Sequence, residues 1–244
     1  MAEMGLGYGS EYQLLRFLGH HRNELEEIIL KNTTINDSLN YKMEWLDYPK
    51  NNSRLSLDGE YTGISFLPDE LKNKVSENWK KYWPQGGSLP SWDSIINLTP
   101  LVPNSPLADQ WIIIEAKANL DEGIEKSSGA TDENSIKKIE KAFESTQKRF
   151  NIKTVNSWLK KYYQLANRLA FVNFMLDNGI ECSLLNIYFL NGYVKKDTKN
   201  LKRTIEDKSI KIVSEWRKVI DAEYDYLGIN NEAKKYISEI FIEC

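Results

Sequence analysis

Sulfur and imidazole are scarce in this sequence. Its 244 residues include two cysteines, Cys182 and Cys244, and two histidines, His20 and His21. That stock builds neither a disulfide framework nor a zinc cluster, so any metal must be held mainly by oxygen, which suits a hard cation such as magnesium. Long apolar runs are lacking too. No stretch approaches the roughly 18 residues of a membrane span, and the opening MAEMGLGYGS has no basic segment leading into an apolar one. The expectation is a cytoplasmic protein with no membrane partner. Repeats and low-complexity linkers are absent as well, so one domain is expected over residues 1–244.

What is present suffices for a core: 41% of residues are hydrophobic and 11% aromatic. The formal net charge of -3 would not suggest a polyanion partner, but it conceals an asymmetry. From Lys137 to Arg168 nine basic residues stand against Glu140 and Glu144, a local +7. Such a run is either the solvated face of two helices or a surface for nucleic acid.

Leu14, Leu18, Leu25 and Ile28 recur at helical spacing after the N-cap candidate Ser10, predicting a helix over residues 10–30. Residues 31–91 read as irregular, apart from a turn at Asp58-Gly59, a short helix from Pro68 to about Trp79, and a Gly86-Gly87 loop. SWDSIINL and WIIIEAKAN read as strands of an antiparallel hairpin with a long loop. Ile136 to Phe143 predicts a helix, and Trp158, Tyr162, Leu165, Leu169, Val172 and Leu176 a longer one ending near Gly179. SLLNIYFL reads as a buried strand; a helix around Trp216 and a closing strand ISEIFIEC complete a layered α/β architecture.

WIIIEAKAN carries the chemistry. In an extended strand Trp111, Ile113, Glu115, Lys117 and Asn119 share one face, and Ile112, Ile114, Ala116 and Ala118 the other. The first face turns from apolar to charged, as expected where a central strand leaves the core and enters a cleft. An edge strand with a surface ion pair would give the same triplet. Asp93, however, opens the preceding strand, and a hairpin could bring it beside Glu115. Two carboxylates and a lysine on neighbouring strands can hold magnesium and position water beside a phosphate.

Asp93, a connecting loop and then Glu115-Ala116-Lys117 resemble the PD-(D/E)XK nuclease superfamily. SEYQLLRFLGHHR, EAKAN and YYQLANRLAF resemble more narrowly an uncharacterised bacterial subgroup of it, over roughly residues 10–190. One departure is that Trp92 stands where a proline is expected, with Pro90 displaced by two. The resemblance implies a restriction-endonuclease-like core, a mixed central sheet flanked by helices. It also implies a site in which Asp93, Glu115 and Ala116 hold Mg2+ or Mn2+, Lys117 acts on the reacting phosphate, and a carboxylate from the first helix joins them. Among Glu11, Glu24, Glu26 and Glu27, Glu11 shares the inward stripe of Leu14, Leu15 and Leu18; a first-turn glutamate is equally favoured by the helix dipole.

Lys160, Gln164 and Arg168, four apart, predict a polar stripe on the long helix, which is either a solvent face or a contact to the scissile phosphate. Lys138, Lys160, Lys161 and Arg168 are the candidate nucleic-acid contacts, with Gln164 beside the catalytic set. Trp158, Tyr162 and Tyr163 read as core, with base stacking as the alternative; Asp58 and Glu60 read as a turn. The expectation is a magnesium-dependent nuclease acting on DNA rather than RNA, the alternative a non-catalytic nucleic-acid-binding or protein-interaction module on the same fold. Self-association into a homo-oligomer is left open.

Overall fold

The computed structural model describes residues 9–33, 40–46, 48, 59–87, 89–102, 107–120, 122, 126–192, 194–196, 204–206 and 209–244. Asp58 lies outside these residues. Two helices come first, α1 (Gly9–His20) and α2 (Arg22–Asn32), followed by strand β1 (Tyr41–Trp45). The minor strand β2 (Tyr61–Thr62), helix α3 (Asp69–Tyr82) and minor strand β3 (Ser91–Trp92) lead to the long hairpin β4 (Ser94–Pro100) and β5 (Gln110–Lys117). Helices α4 (Glu133–Arg149) and α5 (Tyr163–Asp177) connect β5 to β6 (Glu181–Leu190). The chain ends through β7 (Val194–Lys196), β8 (Thr204–Glu206), α6 (Val213–Leu227), α7 (Asn231–Lys234) and β9 (Ile237–Glu243).

The central sheet has the order β1-β4-β5-β6-β9. The pairs β1–β4 and β4–β5 are antiparallel, whereas β5–β6 and β6–β9 are parallel. This mixed sheet has helices on both faces, because its strands alternate between two apolar cores. Ile95, Trp111, Ile113, Leu184 and Tyr188 pack with α3, α4, α5 and α6 on one face. Ile96, Ile112, Ile114, Ala116, Leu185 and Ile187 pack with α1 and α2 on the other. β5 and β6 are buried on both faces, as their continuous apolar runs require. Among the described residues no helix is long and apolar enough to cross a membrane.

The sequence expectations differ from this fold in several places. The first predicted helix is two: Arg22 Nε donates to the Leu18 carbonyl at 3.0 Å, taking the acceptor that a continuous helix would give to the Arg22 N–H. A strand, β1, lies within the segment read as irregular. The predicted long helix starts only at Tyr163, because Tyr162 is left-handed (φ 55°). That turn is held by distant partners: Trp158 Nε1 donates to the Leu227 carbonyl at 3.1 Å, and the Tyr162 ring packs edge-on against Tyr226.

Candidate active site

Glu115 and Lys117 lie at the C-terminal end of β5, on the face it turns to α5 and α6. The period-two pattern that buries Trp111 and Ile113 carries both charged side chains onto that face, and both are buried. Each Glu115 oxygen is engaged. Oε1 accepts from Lys117 Nζ and, at 2.5 Å, from Gln164 Nε2. Oε2 accepts from Arg168 Nε at 2.9 Å, with Arg168 Nη2 2.7 Å away. An ionised carboxylate offers about four acceptor positions; three are taken by hydrogen bonds, and Arg168 Nη2 lies against the group as an ion pair. Burial pushes the Glu115 carboxyl up, but Arg168 and Lys117 together outweigh it and hold it below its ordinary value.

Gln164 closes the arrangement by accepting from Lys117 Nζ at 2.7 Å, so its amide is fixed between the acid and the base. Gln164 and Arg168 stand one turn apart on α5, which is why one helix reaches both. Arg168 also donates to the Ser91 carbonyl at 2.7 Å and lies 5.0 Å from the centre of the Trp92 ring. Trp92, the departure from the expected proline, is thus a fully buried platform under that guanidinium.

Asp93 sits at the bend before β4, where Ser94 opposite Ile114 brings it alongside Glu115. Its carboxylate accepts from the Ala116 N–H at 2.7 Å, and its carbonyl accepts from Tyr48 Oη at 2.6 Å. Burial and then the Glu115 charge push the Asp93 carboxyl up to about 7, against Lys117, the Ala116 hydrogen bond and Arg168. Sequence reasoning missed Glu223, which lines the same cavity with Asn186 and Tyr188 and whose carboxyl burial pushes up to about 8. A signal existed: Glu223 falls on the apolar stripe of Trp216, Ile220 and Leu227. Glu122 was missed without any signal. It ties α1 to the end of β5 by accepting from the Ser10 N–H at 2.8 Å and the Ala118 N–H at 2.6 Å.

The site surrounds a small cavity of about 20 Å³, room for about one water, with Glu115, Lys117 and Arg168 buried and Asp93 and Gln164 partly exposed. Glu11 is exposed in the first turn of α1, and its charge, with those of Asp93 and Glu60, bears on Tyr48. The expected polar stripe is broken: Lys160 precedes α5, and Arg168 is buried on Glu115 instead of facing solvent. Lys160 is exposed, Lys161 lies over the Tyr162 ring at 4.7 Å, and Lys138 donates to the Lys80 carbonyl at 3.0 Å. Among the described residues no three His, Cys, Asp or Glu side chains are grouped to hold a metal ion. Compared with known proteins, the chain matches no protein family, no curated protein and no solved structure.

Proposed function

We propose that this protein is a nuclease of the PD-(D/E)XK type that hydrolyses phosphodiester bonds with Mg2+ or Mn2+, DNA being the favoured substrate. The observation that carries the reading is the convergence of Asp93, Glu115, Lys117 and Gln164 from the bend before β4, the end of β5 and the start of α5. The mixed sheet with helices on both faces agrees with the core that the resemblance implies.

The residues present fit a hard divalent cation. Asp93 and Glu115 are neighbouring carboxylates whose repulsion, felt in the raised Asp93 carboxyl, a dication would relieve. Two carboxylates, completed by Ala116, water and phosphate oxygens, are a usual magnesium set. Because both Glu115 oxygens are taken, binding an ion there requires one donor to give way. A bound ion would polarise the phosphate and lower the pKa of a water.

The chain's own residues do the rest. Arg168 keeps Glu115 ionised and fixed. Gln164 and Glu115 hold the Lys117 ammonium where it can orient a water or offset charge growing on the phosphate. α5 starts beside this group with no side-chain cap and no acid in its first turn, which favours an anion there. Cleavage of single- and double-stranded DNA and RNA, with Mg2+, Mn2+ or chelator, by wild type, Glu115→Ala and Lys117→Ala tests the reading. Metal-dependent cleavage lost in both variants is expected. Equal cleavage by wild type and Glu115→Ala would sink it.

The non-catalytic alternative has one observation in its favour. Glu115 is buried and engaged at both oxygens, so it also serves as the counter-ion that lets Arg168 and Lys117 enter the core. Salt-sensitive binding of nucleic acid with no cleavage under any metal would favour that alternative.

A further inference from the structure

A second, larger cavity of about 590 Å³ opens beside the first turn of α4. Its size falls in the range of small-molecule sites, about 300–1,000 Å³. One wall is the segment after α3, with Trp83 and Gly87; another is the approach to α4, with Ser128, Asp132 and Ile139; Tyr163 forms the third. The walls are braced: the Ser128 N–H donates to the Leu159 carbonyl at 2.7 Å, and the Tyr163 N–H to the Lys126 carbonyl at 3.0 Å.

The lining specifies the ligand. Trp83 and Ile139 are buried and offer an apolar floor, and Tyr163 adds a half-buried ring. The Ser128, Thr131 and Ser135 hydroxyls supply donors and acceptors. Among the described residues that line it none is basic, and Asp132 is acidic, so the cavity does not suit a phosphate. A flat, uncharged heterocycle with hydrogen-bonding edges suits it. Position narrows the choice further: Tyr163 lines this cavity, and Gln164, the next residue, touches Glu115 and Lys117.

We propose that this cavity binds one unpaired nucleobase of a strand whose phosphate lies toward Gln164 and Lys117, so that the substrate is single-stranded nucleic acid. The substrate assignment rests on the nuclease reading; the base site itself does not. A base stacked and paired in a duplex cannot enter a pocket without first leaving the stack, whereas a single strand presents its bases freely.

The test titrates full-length protein, in chelator so that nothing is cut, into a short single-stranded DNA carrying fluorescent 2-aminopurine and into the same DNA as a duplex. Wild type is expected to quench the single strand and leave the duplex unchanged. Thr131→Trp and Ala130→Trp, which fill the cavity from its rim, should each weaken single-strand binding about tenfold, in line with the roughly 1–3 kcal/mol of one stacked base. Circular dichroism checks that they fold, and either variant alone suffices. Tyr163→Ala should reduce the quench as well. Binding and quench unchanged in a folded cavity-filling variant, or equal quenching of strand and duplex, overturns the proposal even if the wild type cleaves DNA. Quenching that depends on the cavity, in a protein that cuts nothing with added metal, upholds the base site and removes the nuclease reading alone.

Discussion

The Arg168 guanidinium grips a single oxygen of Glu115, with Nε at 2.9 Å and Nη2 at 2.7 Å, and both side chains are buried. Removing one partner of a buried ion pair leaves the other uncompensated, at a cost of about 3–5 kcal/mol. Lys117 and Gln164 still hold the other oxygen, so Arg168→Ala should cost nearer 3 kcal/mol in urea unfolding. Arg168→Lys should recover only part of it, because an ammonium cannot reach Glu115 and the Ser91 carbonyl while lying flat on Trp92. A loss below 1 kcal/mol in Arg168→Ala would show that the pair is not formed in solution.

Two carboxyls pushed up from their ordinary range give stability an unusual pH dependence. Asp93 is pushed up to about 7 and Glu223 to about 8, burial being the largest cause for each. Unfolded, both titrate near pH 4. Between those values the folded state binds more protons than the unfolded one, so their contribution is fully present below about pH 4 and is lost as pH rises toward 7 and 8. In chelator, unfolding free energy should therefore fall from pH 5 to 8, and Glu223→Gln should flatten the upper part of that slope. An unchanged slope in Glu223→Gln would show that the carboxyl titrates normally.

Catalytic and binding roles should separate. Glu115→Ala and Lys117→Ala should lower metal-dependent cleavage by about 100-fold or more, the scale of losing a group that stabilises transition-state charge. Gln164→Ala, which frees Lys117 without removing it, should cost less than either. Affinity for DNA, measured in chelator, should fall steeply with salt as counterions are released, and reversing the charge of exposed Lys160 should reduce that slope. A Lys160→Glu variant with an unchanged salt slope would place the binding surface elsewhere.

Gly192, just after β6, passes so close to β5 that a Cβ there would lie 2.7 Å from Ala118 Cβ and 2.9 Å from the Ala118 carbonyl oxygen. Since Ala118 follows Lys117 directly, Gly192→Ala should press on the site as well as on the fold. Overpacking of this kind costs about 1–3 kcal/mol. The melting temperature should drop by about 5 °C, with reduced cleavage; an unchanged melting temperature would show that the two segments are farther apart.

Four strands of the central sheet, β4, β5, β6 and β9, were legible in the sequence, while β1 was not, because its short segment lacks a sustained apolar run. WIIIEAKAN assigns its side chains to two faces without any tertiary information, and both faces are found where that period puts them. The hairpin that sets Asp93 beside Glu115 followed from two apolar runs in sequence order. Chain folding alone decided the rest, because it depends on partners far along the sequence. Helical spacing ran on through Trp158 and Tyr162, yet contacts with Leu227 and Tyr226 hold that stretch as a turn and start α5 at Tyr163. The spacing of Gln164 and Arg168 predicted that they share a face, but only the packing of α5 on the sheet turned that face from solvent to Glu115. Glu223 joined the site in the same way, from α6, 46 residues beyond Asp177, the last residue of α5. Local periodicity fixes which side chains point together; what they meet is set by the long-range packing that buries them.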